Sequence, residues 1–116
     1  MKDLSFDLMF INEVVASVEI KNNKLVKAET FTEEPYKQPF LVKPIRLEYV
    51  LSVLSKRVVQ PDYRNISEVL ENMGLAEYNV IDILQKTHGV SYDNFFWIRF
   101  SGEHLTWEDV RIKVRR

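Results

Sequence analysis

The chain has 116 residues, 46% hydrophobic and 28% charged, the proportions of one globular domain with apolar material for one core. Sixteen basic side chains against 17 acidic ones leave a formal net charge of -1, so no global field advertises a nucleic acid, an anionic membrane or a cationic partner. The absence of cysteine excludes a disulfide scaffold and every thiolate metal site, and suits a reducing cytosol.

Met1-Lys2-Asp3 leads into a short alternating stretch, where a secretory signal would need a continuous apolar core. No apolar run approaches the roughly 20 residues that span a bilayer, and the expectation is a soluble cytoplasmic protein without membrane contact. Leu4, Phe6, Leu8 and Phe10 alternate with a period of two, and Val14, Ala16, Val18 and Ile20 do the same after Asn12-Glu13. A third strand, Leu25 to Phe31, follows Asn22-Asn23, a pair that tolerates the left-handed backbone of a two-residue hairpin turn. The reading is an antiparallel β-meander over about 4–31, with Ser17, Glu19 and Lys21 on its wet face.

Residues 32–44 carry Glu33-Glu34-Pro35, Gln38-Pro39 and Pro44 and read as a connector, because proline lacks a donor and biases its predecessor to extended conformations. Beyond it the period becomes helical. Leu47, Val50, Leu51 and Leu54 make one apolar stripe and predict a helix from about Arg46 to Lys56. Ile66, Val69, Leu70 and Met73 predict a second, with Asn65 to cap it, Glu68 to reach back and Gly74 to end it. Val80, Ile81 and Leu84 predict a third over about Glu77 to His88, stopped by Gly89. Phe95-Phe96-Trp97-Ile98-Arg99-Phe100 has the composition of a strand, and Thr106-Trp107-Glu108-Asp109 can open a single helical turn before the basic end. The fold class expected is α+β, in one domain: meander, connector, a helical part over about 45–89, then strand and basic tail over 94–116.

Little in the chain points to catalysis. His88 and His104 are too few for a histidine-rich metal constellation, and His88 reads as a cation at the negative end of a helix. No Gly-x-Ser-x-Gly turn or glycine-rich phosphate loop is present. Glu33-Glu34 and Glu108-Asp109 read as solvated charge or caps rather than an acid/base pair. No cofactor, metal or catalytic residue is expected. Arg111, Lys113, Arg115 and Arg116 alternate with Ile112 and Val114, which would give a strand with a cationic face able to touch phosphate, or a solubilising tail. Among the aromatics, Tyr92 and Trp107 lie beside turns and are the residues expected to be exposed as partner anchors.

The segment His88-Gly89-Val90-Ser91-Tyr92-Asp93-Asn94-Phe95-Phe96-Trp97-Ile98-Arg99, followed by Leu105-Thr106-Trp107-Glu108-Asp109-Val110, resembles the region ahead of the kinase core in HipA-like proteins, particularly clostridial forms. There a Gly-Leu-Ser-Leu-x-Asp-x-Tyr-Trp-Ile-Lys run precedes Leu-Thr-Trp-Glu-Asp-Val. Lys56-Arg57-Val58-Val59, Pro61 and Arg64 resemble that family's stretch between two helices, and Leu70 to Leu75 its helix ending in Leu-Gly-Leu. Gln60 is an extra residue, Asn94 stands where the family has aspartate, and Phe96 replaces its tyrosine. The chain stops where the relatives continue into their ATP-binding and catalytic lobes, so no kinase residue carries over. The resemblance implies a freestanding relative of a kinase accessory region: a non-catalytic regulatory binding protein, antitoxin-like, partnered by a HipA-like kinase. The alternative expectation is a nucleic-acid-binding or mobile-element-encoded inhibitor, with the second and third helices as a loose helix-turn-helix, although Glu77 and Asp82 suit a recognition helix poorly.

Overall fold

The computed structural model describes residues 3–41 and 43–112. Residues 4–30 form the expected meander, β1 (Leu4–Phe10), β2 (Glu13–Lys21) and β3 (Lys24–Thr30), followed by α1 (Leu47–Ser55), α2 (Ile66–Asn72), α3 (Val80–Thr87), β4 (Phe96–Phe100) and α4 (Trp107–Val110). The fold is α+β. Its strands make one antiparallel sheet of order β3-β2-β1-β4, in which the late aromatic strand returns to lie against the first. No helix among the described residues is long and apolar enough to cross a membrane.

The two hairpins turn for different reasons. Asn22 and Asn23 take φ of 52° and 61°, as their side chains allow. The β1–β2 turn instead places Ile11 at φ 54°, where a β-branched residue pays about 1–2 kcal/mol. Tertiary contacts hold it there. The Ile11 N–H donates to the Phe95 carbonyl at 3.1 Å, and its own carbonyl accepts from Trp97 Nε1 at 2.6 Å.

Alternation fails at two points. In the β2–β3 pair Glu19 faces Lys27 but Ile20 faces Leu25, which leaves Val26 as an inserted residue. In the β1–β2 pair Leu8 faces Ala16 but Met9 faces Val14, so Val15 is an inserted residue. Val15 and Ala16 both join the core beneath the helices, and Val15 occupies the place that strict alternation gives to Val14. Met9 follows Leu8 in the unbroken alternation of β1 and so faces the opposite side of the sheet, with its β4 partner Trp97. These two side chains are 1% and 0% exposed yet lie outside the main core, forming a small apolar layer on the sheet's far side. Further along that face Ser17 Oγ donates to Asp7 Oδ1 at 2.6 Å, and Arg99 reaches Asp7 Oδ2 at 3.3 Å.

On the helical side Phe6, Leu8, Val18, Ile20 and Ile98 pack with Val50, Leu54, Leu70, Ile83 and Leu84. Helix α1 turns Leu47, Val50 and Leu54 of its expected stripe to the core, while Leu51 lines a groove toward α3. In α2 the expected cap does not form: Asn65 makes no side-chain hydrogen bond to the first turn, because its φ/ψ of -110°/35° is not the extended geometry a capping side chain needs. Helix α3 begins at Val80 rather than Glu77, because the extended Asn79 caps it, Oδ1 accepting from the Asp82 N–H at 3.1 Å. His88 ends it at φ 56°, and Gly89 follows at φ 65° with Leu84 Cδ2 3.3 Å from where a Cβ would stand. The capping box of Thr106 and Asp109 opens α4 as read.

Replacing Trp97 with phenylalanine removes the indole N–H from the Ile11 carbonyl and leaves a void beside Met9. We expect Trp97→Phe to lower unfolding free energy by about 2–4 kcal/mol in urea titration followed by circular dichroism; an unchanged midpoint would mean that the far-side layer is dispensable.

Candidate functional site

The sequence places aromatic residues in β4 and the flanking turns, and the sheet brings them together with the β1–β2 turn. Phe10 is the centre of the group. Its ring meets Tyr36, Phe95 and Phe96 edge-on at centroid distances of 6.0, 5.9 and 5.3 Å, and Phe95 meets Trp107 at 6.0 Å. Tyr36 and Phe95 are 65% and 53% exposed, so this end of the sheet displays two ring systems to water. The backbone holds them: besides the Ile11 bonds, Asn12 Oδ1 accepts from the Trp107 N–H at 2.8 Å.

Tyr36 lies in a single 3-10 turn, Pro35–Lys37, inside the connector. Lys37 fixes that turn. Its Nζ sits 3.0 Å from Glu13 and 3.7 Å from Glu34, and 5.5 and 5.6 Å from the ring centroids of Phe10 and Tyr36. The hydrogen bond to Glu13 is the main cause that raises the Lys37 ammonium above its ordinary pKa, and a hydrogen bond with Glu34 does the same for the Tyr36 phenol. Nothing in a proline-bearing connector signals this arrangement; it arises because the connector packs on β1 and β2.

A second feature lies around Arg57, just past α1. Its guanidinium donates to the carbonyls of Gly89 and Phe96, both at 2.9 Å, and to Asn94 Oδ1 at 3.0 Å. Asn94 Oδ1 also accepts from the Phe96 N–H at 3.1 Å. Burial lowers the Arg57 pKa, and among the described residues no carboxylate forms an ion pair with it. Arg57 thus ties residues 89–96 to the helical layer and sets where β4 begins. The cleft beside it, about 450 Å³, is lined by Lys56, Arg57, Val59, Tyr92, Asn94 and Ile112. An apolar groove of about 460 Å³ lies elsewhere, between Leu51 and Leu54 of α1 and Val80 and Ile81 of α3.

The residues expected to bind a partner do not form one cluster. Tyr92 is 79% exposed at the Arg57 cleft. Trp107 belongs to the aromatic end and is half-buried, since Phe95 covers one edge and Asn12 holds its backbone. Arg111 is paired with Glu108 at 2.9 Å. Lys113, Arg115 and Arg116 lie outside the described residues, so the cationic strand expected there has no structural counterpart to compare; Ile112, the last described residue, is in no strand. His88 does more than sit at a helix end: its Nε2 is 2.9 Å from Glu103, whose other oxygen accepts from the Phe100 N–H at 2.7 Å. Tyr36 and Lys37 are not singled out by sequence, Arg57 enters only through the resemblance, and Phe95 is grouped with the β4 aromatics while Tyr92 and Trp107 are preferred as exposed anchors. Among the described residues no group of His, Asp and Glu is arranged to hold a metal ion.

Compared with protein-family models, curated proteins and solved structures, the chain matches none of them. The HipA-like resemblance therefore rests on the residues quoted for it.

The Arg57 contacts have a direct consequence for Asn94. A carboxylate at that position would accept the same two hydrogen bonds and add charge to one of them. Asn94→Asp is expected to raise stability by about 1 kcal/mol at pH 7. A guanidinium depresses the pKa of the new carboxyl, so the gain is present above the unfolded aspartate value and lost as pH falls through the folded one. Arg57→Lys leaves acceptors that one ammonium cannot serve together and should cost about 2–3 kcal/mol. Denaturation of both variants at pH 7 and pH 3 checks the pair; a pH-independent Asn94→Asp effect contradicts the account.

Proposed function

We propose that this chain is a non-catalytic regulatory binding protein, an accessory or antitoxin-like partner of a HipA-like kinase in a toxin–antitoxin setting. The kinase comes from the resemblance alone. The observation that supports protein binding is the aromatic end, where Tyr36 and Phe95 stay exposed while ring contacts and backbone hydrogen bonds fix their positions. Exposed aromatic anchors of this kind supply much of the energy in protein interfaces, and rings already held in place lose little freedom on docking. The segment His88–Arg99 and the turn Leu105–Val110, which carry the resemblance, are also those that contribute Phe95, Phe96, Trp97 and Trp107 to this end. The nucleic-acid alternative gains nothing from α3, whose charged residues are Asp82 and Lys86.

The test is affinity capture from the native host with the tagged chain and with a Tyr36→Ala/Phe95→Ala variant. Each ring is peripheral to the core, so the variant should keep its melting temperature within a few degrees while capture of a kinase falls at least about tenfold. Repeated recovery of no kinase or toxin removes the named partner. Equal capture by the variant removes the aromatic end as the docking surface.

A further inference from the structure

The aromatic end is already a cation site on its inner side. The Lys37 ammonium, with only 16% of its side chain exposed, lies over Phe10 and Tyr36 and between Glu13 and Glu34. Aromatic faces carry negative potential, and a cation within about 6 Å of a ring centroid is attracted to it. Two carboxylates share this single ammonium, so the corner retains negative charge after Lys37 is counted. Glu33, the preceding residue along the chain, is exposed and has no ion pair among the described residues. Beside these carboxylates, the outward surfaces of Tyr36 and Phe95 remain open to solvent.

Resting on the reading of this end as a docking surface, we infer that its occupant is a cationic segment of a partner protein, with an arginine or lysine side chain seated on Tyr36 and Phe95 and flanked by Glu13 and Glu34. Charge complementarity decides between occupants. A purely apolar segment would strand these carboxylates at a drying interface, whereas a cation satisfies both them and the rings. The same carboxylates repel a phosphate backbone. Arginine fits best, because its guanidinium can stack on a ring while its N–H groups reach a carboxylate.

The probe is the tripeptide amide acetyl-Arg-Leu-Arg, against its counterpart with citrulline in place of both arginines, which keeps the shape and removes the charge. Binding is read by NMR from the ring resonances of the aromatic residues at low salt. The arginine peptide should shift Tyr36 and Phe95 signals and bind about tenfold more tightly than the citrulline peptide, with the difference largely removed at about 0.5 M salt. Tyr36→Leu/Phe95→Leu keeps apolar bulk without the ring faces and should remove most of the preference. Equal binding of both peptides, or arginine-dependent shifts that map away from Tyr36 and Phe95, overturns the inference. In that case the aromatic end still stands as a docking surface if the alanine variant loses partner capture, so the two failures are distinguishable.

Discussion

The hydrogen bond from Trp97 Nε1 to the Ile11 carbonyl joins residues 86 apart in sequence, and the geometry of the candidate site depends on it. It closes β4 onto the β1–β2 turn, helps to hold Ile11 in a left-handed conformation that isoleucine disfavours, and buries an indole that would otherwise lie on the sheet's open face. Phe95 and Trp107 follow from the same closure. Phe95 supplies the carbonyl that accepts from Ile11, and Trp107 docks through Asn12 in the same turn. A strand pairing between opposite ends of the chain is costly in loop-closure entropy and repays that cost only when its contacts form together. The concentration of aromatic side chains at this seam is consistent with that requirement.

Arg57 holds the same end of β4 from its other side. Its three acceptors lie at Gly89, Asn94 and Phe96, so one side chain spans the loop from the end of α3 to the start of β4. The arrangement uses the planar fork of guanidinium against neutral acceptors, which satisfies donors that burial would otherwise leave costly. Strand β4 is thereby fixed on its helical side by Arg57 and on its turn side by Ile11. The exposed Phe95 sits between these attachments, and this accounts for a ring that is solvent-facing and yet held in place.

Much of the architecture was legible because it follows from periodicity and local chemistry. The stripe from Leu47 to Leu54, the Asn22-Asn23 turn and the Thr106–Asp109 capping box each carry their signal within a few residues. The β1–β2 bulge was not legible, because Val14, Val15 and Ala16 are all apolar and a period of two cannot reveal which of them is inserted. Ile11 carried the wrong local signal: its propensity opposes the turn it makes, and contacts with Phe95 and Trp97 decide the matter. The site was legible only in part. Aromatic content marked β4 and Trp107, but Tyr36 and Lys37 sat in a segment whose prolines identify a connector and say nothing of what it packs against.

Composition was also a poor guide to local field. A formal net charge of -1 is compatible with an acidic corner, since opposite charges cancel in a sum while remaining separate in space. At physiological ionic strength a fixed charge is felt over roughly 8 Å, so the field at the aromatic end is set by Glu13, Glu34 and Lys37 and scarcely by distant charges. That field depends on how three or four side chains are held relative to two rings. That holding is done by the closure of β4 on the first hairpin and by Lys37, which pins the connector to Glu13 of β2, and this links the stability of the sheet to the surface it presents.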